Sequence, residues 1–219
     1  MRNDLTIVYY TSNREKPRFE AKIRRSLRHA SRPLPIVSVS QKPINFGKNI
    51  CVGNVGISGQ NALRQFQIGA IEAKTKFVCT SESDFLYPKE YFRFIPKRED
   101  ILYRQMPMYV LFAQRGKARV YCPKRRGSFA AMIVGRDAVI NGIEKILDGF
   151  GMWGPADESD HKLPDLFRVM KRSSFTTSIP SVSFKTDDNM HRKTPHYAEG
   201  RTRYLPYYGY GTDLVRRYL

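Results

Sequence analysis

Phe77-Val78-Cys79-Thr80-Ser81-Glu82-Ser83-Asp84 is a short run of strand-forming residues that stops on two acids, and its reading decides the fold. Phe77 to Thr80 read as a buried strand, and two similar runs precede it. Leu5-Thr6-Ile7-Val8-Tyr9-Tyr10 is β-branched and aromatic and ends in the turn formers Thr11, Ser12 and Asn13; Ile36-Val37-Ser38-Val39 is the second. Between the first two, Phe19, Ile23 and Leu27 recur at spacing four with Arg18, Lys22, Arg24, Arg25 and Arg28 around them, which predicts an amphipathic helix with a basic outer face closed by Pro33 and Pro35. Between the second and third, a glycine-rich break from Gly47 to Gly59 leads into a helix capped by Ser58, whose Ala62, Phe66, Gly69, Ala70 and Ala73 form a small-residue face suited to close packing on a sheet. The order β-α-β-α-β predicts a parallel, Rossmann-like sheet flanked by helices, with ligands at the carboxyl ends of its strands.

Outward from this half, Met108 to Ala113 and Ala118 to Cys122 predict a hairpin around residues 114–117. Phe129 to Val134 predicts another strand, followed by a helix from Asp137 to Leu147. The second half is therefore expected to be mixed. After Phe184 the sequence turns polar, basic and tyrosine-rich, which predicts a loop-rich or partly disordered wrap; residues 1–186 are read as one α/β domain and 187–219 as a segment packed on it. No internal repeat and no second apolar core are visible.

Composition narrows the class of function. A chain of 219 residues can bury its own core without staples. Three widely spaced cysteines, Cys51, Cys79 and Cys122, suit reduced thiols and neither a disulfide framework nor a zinc site. No run is long enough for a membrane span or shaped like a signal peptide, so a cytoplasmic location is expected. The 38 Lys and Arg against 20 Asp and Glu leave +18, which favours association with polyanions, solubility being the plain alternative. Arg115, Lys117, Arg119, Lys124, Arg125 and Arg126 put six cations into twelve residues without an acid, a nucleic-acid-binding candidate, and the tyrosines of the tail (Tyr197, Tyr204, Tyr207, Tyr208, Tyr210) offer rings for bases or sugars.

Three constellations carry chemistry. Alternation along the strand puts Glu82 and Asp84 on one side of the chain, where two hard oxygen donors suit Mg²⁺ or Mn²⁺; a solvated turn is the alternative reading. Gly151-Met152-Trp153-Gly154-Pro155-Ala156-Asp157-Glu158-Ser159-Asp160 is an acidic loop after a Trp-Gly pair, read either as a catalytic loop or as an acid-decorated helix start. Asp187-Asp188-Asn189-Met190-His191 comes about thirty residues later.

In these motifs and their order the chain resembles the GT-A glycosyltransferases, whose Rossmann-like half ends in an acidic D-x-D motif, here Glu82-x-Asp84. The second loop is similar to the W-G-x-E-D loop of inverting, β-1,4-galactosyltransferase-type members, with Ala156 in place of their glutamate. The resemblance implies a nucleotide-sugar donor such as a UDP-sugar, a metal held by Glu82, Asp84 and His191, and Asp157 or Glu158 as the base. It further implies that Thr11, Ser12 and Asn13, with Asn61 and Gln65, meet the donor. Small, basic enzymes of this type resemble bacteriophage enzymes that glycosylate hydroxymethylated pyrimidines, which implies DNA as the acceptor and the host cytoplasm as the setting. A surface glycan or lipid-linked acceptor, or a non-catalytic nucleic-acid-binding module, are the rival readings.

Overall fold

The computed structural model describes residues 4–113, 120–123, 128–155, 166–189 and 200–219. The first half runs β1 (Leu5–Thr11), α1 (Pro17–Ser31), β2 (Ile36–Ser40), β3 (Lys48–Cys51), α2 (Gly59–Glu72) and β4 (Phe77–Glu82). The second runs β5 (Phe85–Leu86), α3 (Lys89–Arg93), β6 (Ile101–Phe112), β7 (Tyr121–Pro123), β8 (Met132–Gly135), α4 (Arg136–Ile146), α5 (Leu166–Val169), β9 (Lys171–Lys185), β10 (Tyr204–Leu205), β11 (Gly209–Tyr210) and α6 (Gly211–Tyr218). Among the described residues, nine strands form one sheet ordered β3-β2-β1-β4-β8-β6-β9-β5, with β7 pairing the far end of β6.

The four strands β3-β2-β1-β4 are parallel; the alternation of strands and helices predicts β1, β2 and β4 of these, and β3 adds to β2 without an intervening helix. From β4 onward the sheet is mixed: β8 is antiparallel to both β4 and β6, and β9 is parallel to β6. Alternate residues of β1 enter opposite layers. Leu5, Ile7 and Tyr9 pack with Leu27 of α1 and with Tyr91 and Phe92 of α3, while Val8 and Tyr10 pack with Phe66 and Ala70 of α2 and with Val139 and Ile143 of α4. Both faces are covered, which is what a parallel sheet requires. No helix among the described residues is long and apolar enough to cross a membrane.

Several elements differ from their expected bounds. β3 lies inside the glycine-rich break as an exposed edge strand, so it carries no burial pattern for the sequence to reveal. β6 starts at Ile101, seven residues ahead of the expected hairpin arm; its partner in the hairpin is β7, in the register Leu111↔Tyr121. Phe129–Ala131 is a 3₁₀ turn, because Ser128 Oγ accepts from Ala130 N, and the strand begins only at Met132. The described end of the tail is ordered structure rather than a loop-rich wrap. Its Leu205, Leu214 and Val215 share a core with Phe19 and Ile23 of α1 and with Phe184 of β9.

Gly69 of α2 sits against β1. A methyl group there would overlap Val8 Cγ1 and come within 3.3 Å of Val39 Cγ2. Alanine normally stabilises a helix interior over glycine by about 1 kcal/mol. Here the overlap reverses the sign, and Gly69→Ala is expected to cost about 1–3 kcal/mol in denaturant unfolding; a more stable variant would show that α2 packs less closely on β1.

Candidate functional site

The chain moves outward from β1 to β2 and β3, then returns through α2 to β4 on the other side of β1. Strand order therefore reverses at β1, and the crevice beside its carboxyl end is where such sheets bind ligands. A cleft of about 200 Å³ opens there, lined by Thr11, Ser12, Asn61, Gln65, Glu82 and Asp84, and also by Arg14, Glu15, Gln41, Lys185 and Asn189. Residues more than 170 positions apart in sequence thus form one wall.

The first loop is held by the buried carboxylate of Glu20. Thr11 Oγ1 donates to its Oε1 at 2.9 Å, and Arg24 pairs with its Oε2 at 3.0 Å. Burial raises the Glu20 carboxyl above its ordinary value, against the lowering effect of Thr11 and Arg24. Asn13 takes a left-handed backbone conformation (φ 55°), which asparagine tolerates. Its side chain reaches Glu20 and accepts from Lys42 N at 2.8 Å, bracing the loop, and it is not among the cleft-lining residues.

Asn61 and Gln65 line the cleft, but their amide hydrogens are committed to backbone. Gln65 Nε2 donates to Thr11 O (3.0 Å) and Val39 O (3.2 Å), satisfying carbonyls at the ends of β1 and β2. Asn61 Nδ2 donates to Val55 O at 2.7 Å, and its Oδ1 accepts from Gly154 N at 2.8 Å. With Gln60 Nε2 donating to Gly151 O at 2.7 Å, this fastens the Trp153-Gly154 turn to the N-terminus of α2, at the edge of the cleft. Asp157 and Glu158 follow that turn and lie outside the described residues, as do His191 and the cations Arg115, Lys117, Arg119, Lys124, Arg125 and Arg126.

Glu82 ends β4 and Asp84 follows in the turn before β5. Tyr10 Oη donates to Glu82 Oε1 at 2.6 Å. Tyr87 Oη accepts from Glu82 N and donates to Ala130 O, so a buried ring fixes the strand end. Burial and the Glu82 carboxylate push the Tyr10 hydroxyl well above its ordinary range, keeping it a donor. Asp84 Oδ2 accepts from Asn189 Nδ2 at 2.9 Å and lies 3.8 Å from Lys185 Nζ. Two carboxylates on one cleft wall fit a hard cation completed by ligand oxygens; among the described residues no group of three or more metal-ligating side chains is gathered.

Glu15 was not marked by the sequence, since a single acid between a turn and a helix carries no local signal. Its buried carboxylate accepts from Thr186 Oγ1 at 2.9 and 3.1 Å, joining the first loop to the end of β9. Burial pushes its carboxyl up to about 7, helped by Asp84 and Asp188 and opposed by Thr186 and Asn189. Because the folded-state value lies above the ordinary 4.5, the neutral acid is the form that folding favours, and its stabilisation is lost as pH rises from 4.5 to about 7. Glu15→Gln, which stays neutral, should gain melting temperature relative to the parent across that window and hold a constant difference above it. Parallel melting curves at all pH values would show that Glu15 is charged in the fold.

No family model matches the chain, and no curated protein matches it in sequence. Its fold is similar to that of S. aureus TarS residues 1–349 in complex with UDP-GlcNAc, with a TM-score of 0.52 and 13% identity over 94% of this chain and 63% of that one. A second structure of TarS 1–349 matches with a TM-score of 0.50 and 13% identity, over 83% and 60% of the two chains. The chain thus spans about three fifths of the length of TarS 1–349. At this identity the likeness is one of fold, a mixed α/β sheet flanked by helices.

Proposed function

We propose that this protein is a glycosyltransferase that takes a sugar from a nucleotide-sugar donor, a UDP-sugar in the first instance, bound in the cleft beside β1. The carrying observation is the convergence of the Thr11-Ser12 loop with Glu82 and Asp84 on one cleft. A fold match to a protein solved with UDP-GlcNAc supports the same reading. The N-terminus of α2, capped by Ser58, opens on the cleft and favours the negative charge of a diphosphate.

In this reading Glu82 and Asp84 hold Mn²⁺ or Mg²⁺, with His191 as a further ligand. The cation, when bound, neutralises charge on the departing diphosphate. Tyr10 and Asn189 fix the orientation of the two carboxylates. Asp157, or Glu158 beside it, takes the proton from the acceptor hydroxyl as its oxygen bonds to the anomeric carbon and the bond to the nucleoside diphosphate breaks, with inversion at that carbon. In support of this assignment, the Asn61 tie holds Gly154, three residues before Asp157 in sequence, at the cleft edge.

For the acceptor we favour hydroxymethylated pyrimidines in DNA. Support comes from the charge of +18 and from Arg14, Arg18, Arg25 and Arg28, all exposed on α1 or the loop before it. The direct assay incubates the protein with Mn²⁺, UDP-sugars and hydroxymethylated DNA and reads the nucleosides by mass; sugar transferred only to a glycan or lipid-linked acceptor would replace DNA in this reading.

Asp84→Asn is expected to abolish transfer and metal-dependent donor binding by calorimetry while the melting temperature stays near that of the parent, since the amide keeps the shape and loses the charge. Near-normal transfer would sink the metal site. Asp157→Asn should lower turnover by about a hundredfold or more with donor KM changed only severalfold. If Glu158→Gln is the crippled enzyme instead, the base is the neighbouring residue.

A further inference from the structure

The C-terminal hairpin β10–β11 presents three tyrosines to solvent within seven residues. Tyr204 is 47% exposed, Tyr207 62% and Tyr210 56%. Tyr204 and Tyr210 are cross-strand partners, with ring centroids 5.3 Å apart at an interplanar angle of 66°, and Tyr207 leans on Tyr208 at 5.1 Å. Isolated exposed apolar residues are ordinary, but three neighbouring rings on one ribbon are not scattered surface.

The ribbon is fixed to the domain. Tyr208 Oη donates to Pro180 O at 2.8 Å, Leu205 enters the core, and Thr202 bridges Tyr121. Tyr208 is thereby an anchor, whereas the sequence alone grouped it with the other tyrosines. α6 leaves the hairpin directly and is tied to α1, where Lys22 Nζ donates to Arg217 O at 2.7 Å and Tyr218 Oη meets Ser26 Oγ at 3.2 Å.

Charge chooses among possible occupants. Residues 200–219 carry Arg201, Arg203, Arg216 and Arg217 against Asp213, and all four arginines are exposed. Rings that stand proud of the surface meet base faces only where bases are unpaired, because in a duplex those faces are stacked on each other. A neutral glycan would stack on the same rings but make no use of the net positive charge of this segment, which remains although Arg216 faces Asp213 at 3.4 Å.

We infer that this hairpin is a stacking platform for single-stranded nucleic acid, with Tyr204, Tyr207 and Tyr210 taking bases and Arg203, Arg216 and Arg217 taking the flanking phosphates. The inference deepens the DNA-acceptor reading above by giving the protein a surface that holds an unpaired segment.

The test is fluorescence anisotropy of the full chain with labelled oligo-thymidine and with a labelled duplex over a salt series, with no donor or metal present. The parent should bind the single strand more tightly than the duplex. Tyr204→Ala with Tyr210→Ala should weaken it about tenfold or more at every salt concentration, and Tyr207→Ala alone about fivefold. Tyr204→Phe with Tyr210→Phe should bind like the parent, because the ring and not the hydroxyl stacks. Arg203→Ala with Arg216→Ala should flatten the log–log salt slope by about one unit or more. Unchanged binding in the alanine variants overturns the platform, as does a phenylalanine pair as weak as the alanine pair, or a parent that prefers a neutral oligosaccharide. Since no donor is used, a parent that binds the strand through these tyrosines but transfers no sugar to DNA would retire the acceptor reading and leave the platform standing.

Discussion

β1 pairs in parallel on both sides, Ile7 facing Ile36 of β2 and Cys79 of β4, and all seven of its residues are buried. Such a strand has no access to water, so helices must cover both of its faces, and the chain must cross over each time it adds a strand. Covering both faces forces α1 and α2 onto opposite sides of the sheet. Because α1 leads outward to β2 and α2 returns to β4, the loops at the carboxyl end of β1 separate. The cleft is the geometric remainder of that separation.

What shapes the cleft is a set of buried and half-buried side-chain amides. Gln65 closes the ends of β1 and β2, Asn61 holds Gly154, Gln41 reaches Gly56, and Asn189 ties Asp84 to the end of β9. Each satisfies backbone or carboxylate groups that would otherwise be buried unpaired at a cost of about 1–3 kcal/mol. Glu15, Glu82 and Asp84 bring several carboxylates to one wall of a chain whose net charge is +18. Their mutual repulsion is moderated by Lys185 near Asp84 and by the raised proton affinity of Glu15.

Among the described residues most of the positive charge lies outside the cleft. One share of it is on the outer face of α1 and on the hairpin and helix β10–α6, which pack together through Phe19, Ile23, Leu214 and Val215. Arg14 and Lys185 bring positive charge to the cleft itself, where Lys185 stands 3.8 Å from Asp84, so the site carries both signs of charge.

The sequence by itself determined three of the four parallel strands, β1, β2 and β4, and the helices between them. Leu5 to Tyr10, Ile36 to Val39 and Phe77 to Thr80 are runs of strand-forming residues, each apolar but for one Ser or Thr, and the spacing of Phe19, Ile23 and Leu27 and the Ser58 cap mark the helices between them, so local periodicity and turn chemistry sufficed. It also placed Thr11, Ser12, Glu82 and Asp84 at strand ends, which is where the cleft lies. Tertiary structure decided what each of these does. Asn13, Asn61 and Gln65 look alike as polar residues near a site, yet only long-range contacts, to Lys42 N, Gly154 N and Thr11 O, show them bound to backbone. β3 and α6 escaped notice because an exposed edge strand and a two-turn helix offer too few buried positions for a period to register. Glu15 and Thr186 are 171 residues apart, and no property of either stretch announces that they meet; that pairing exists only because β9 returns to the carboxyl end of β1.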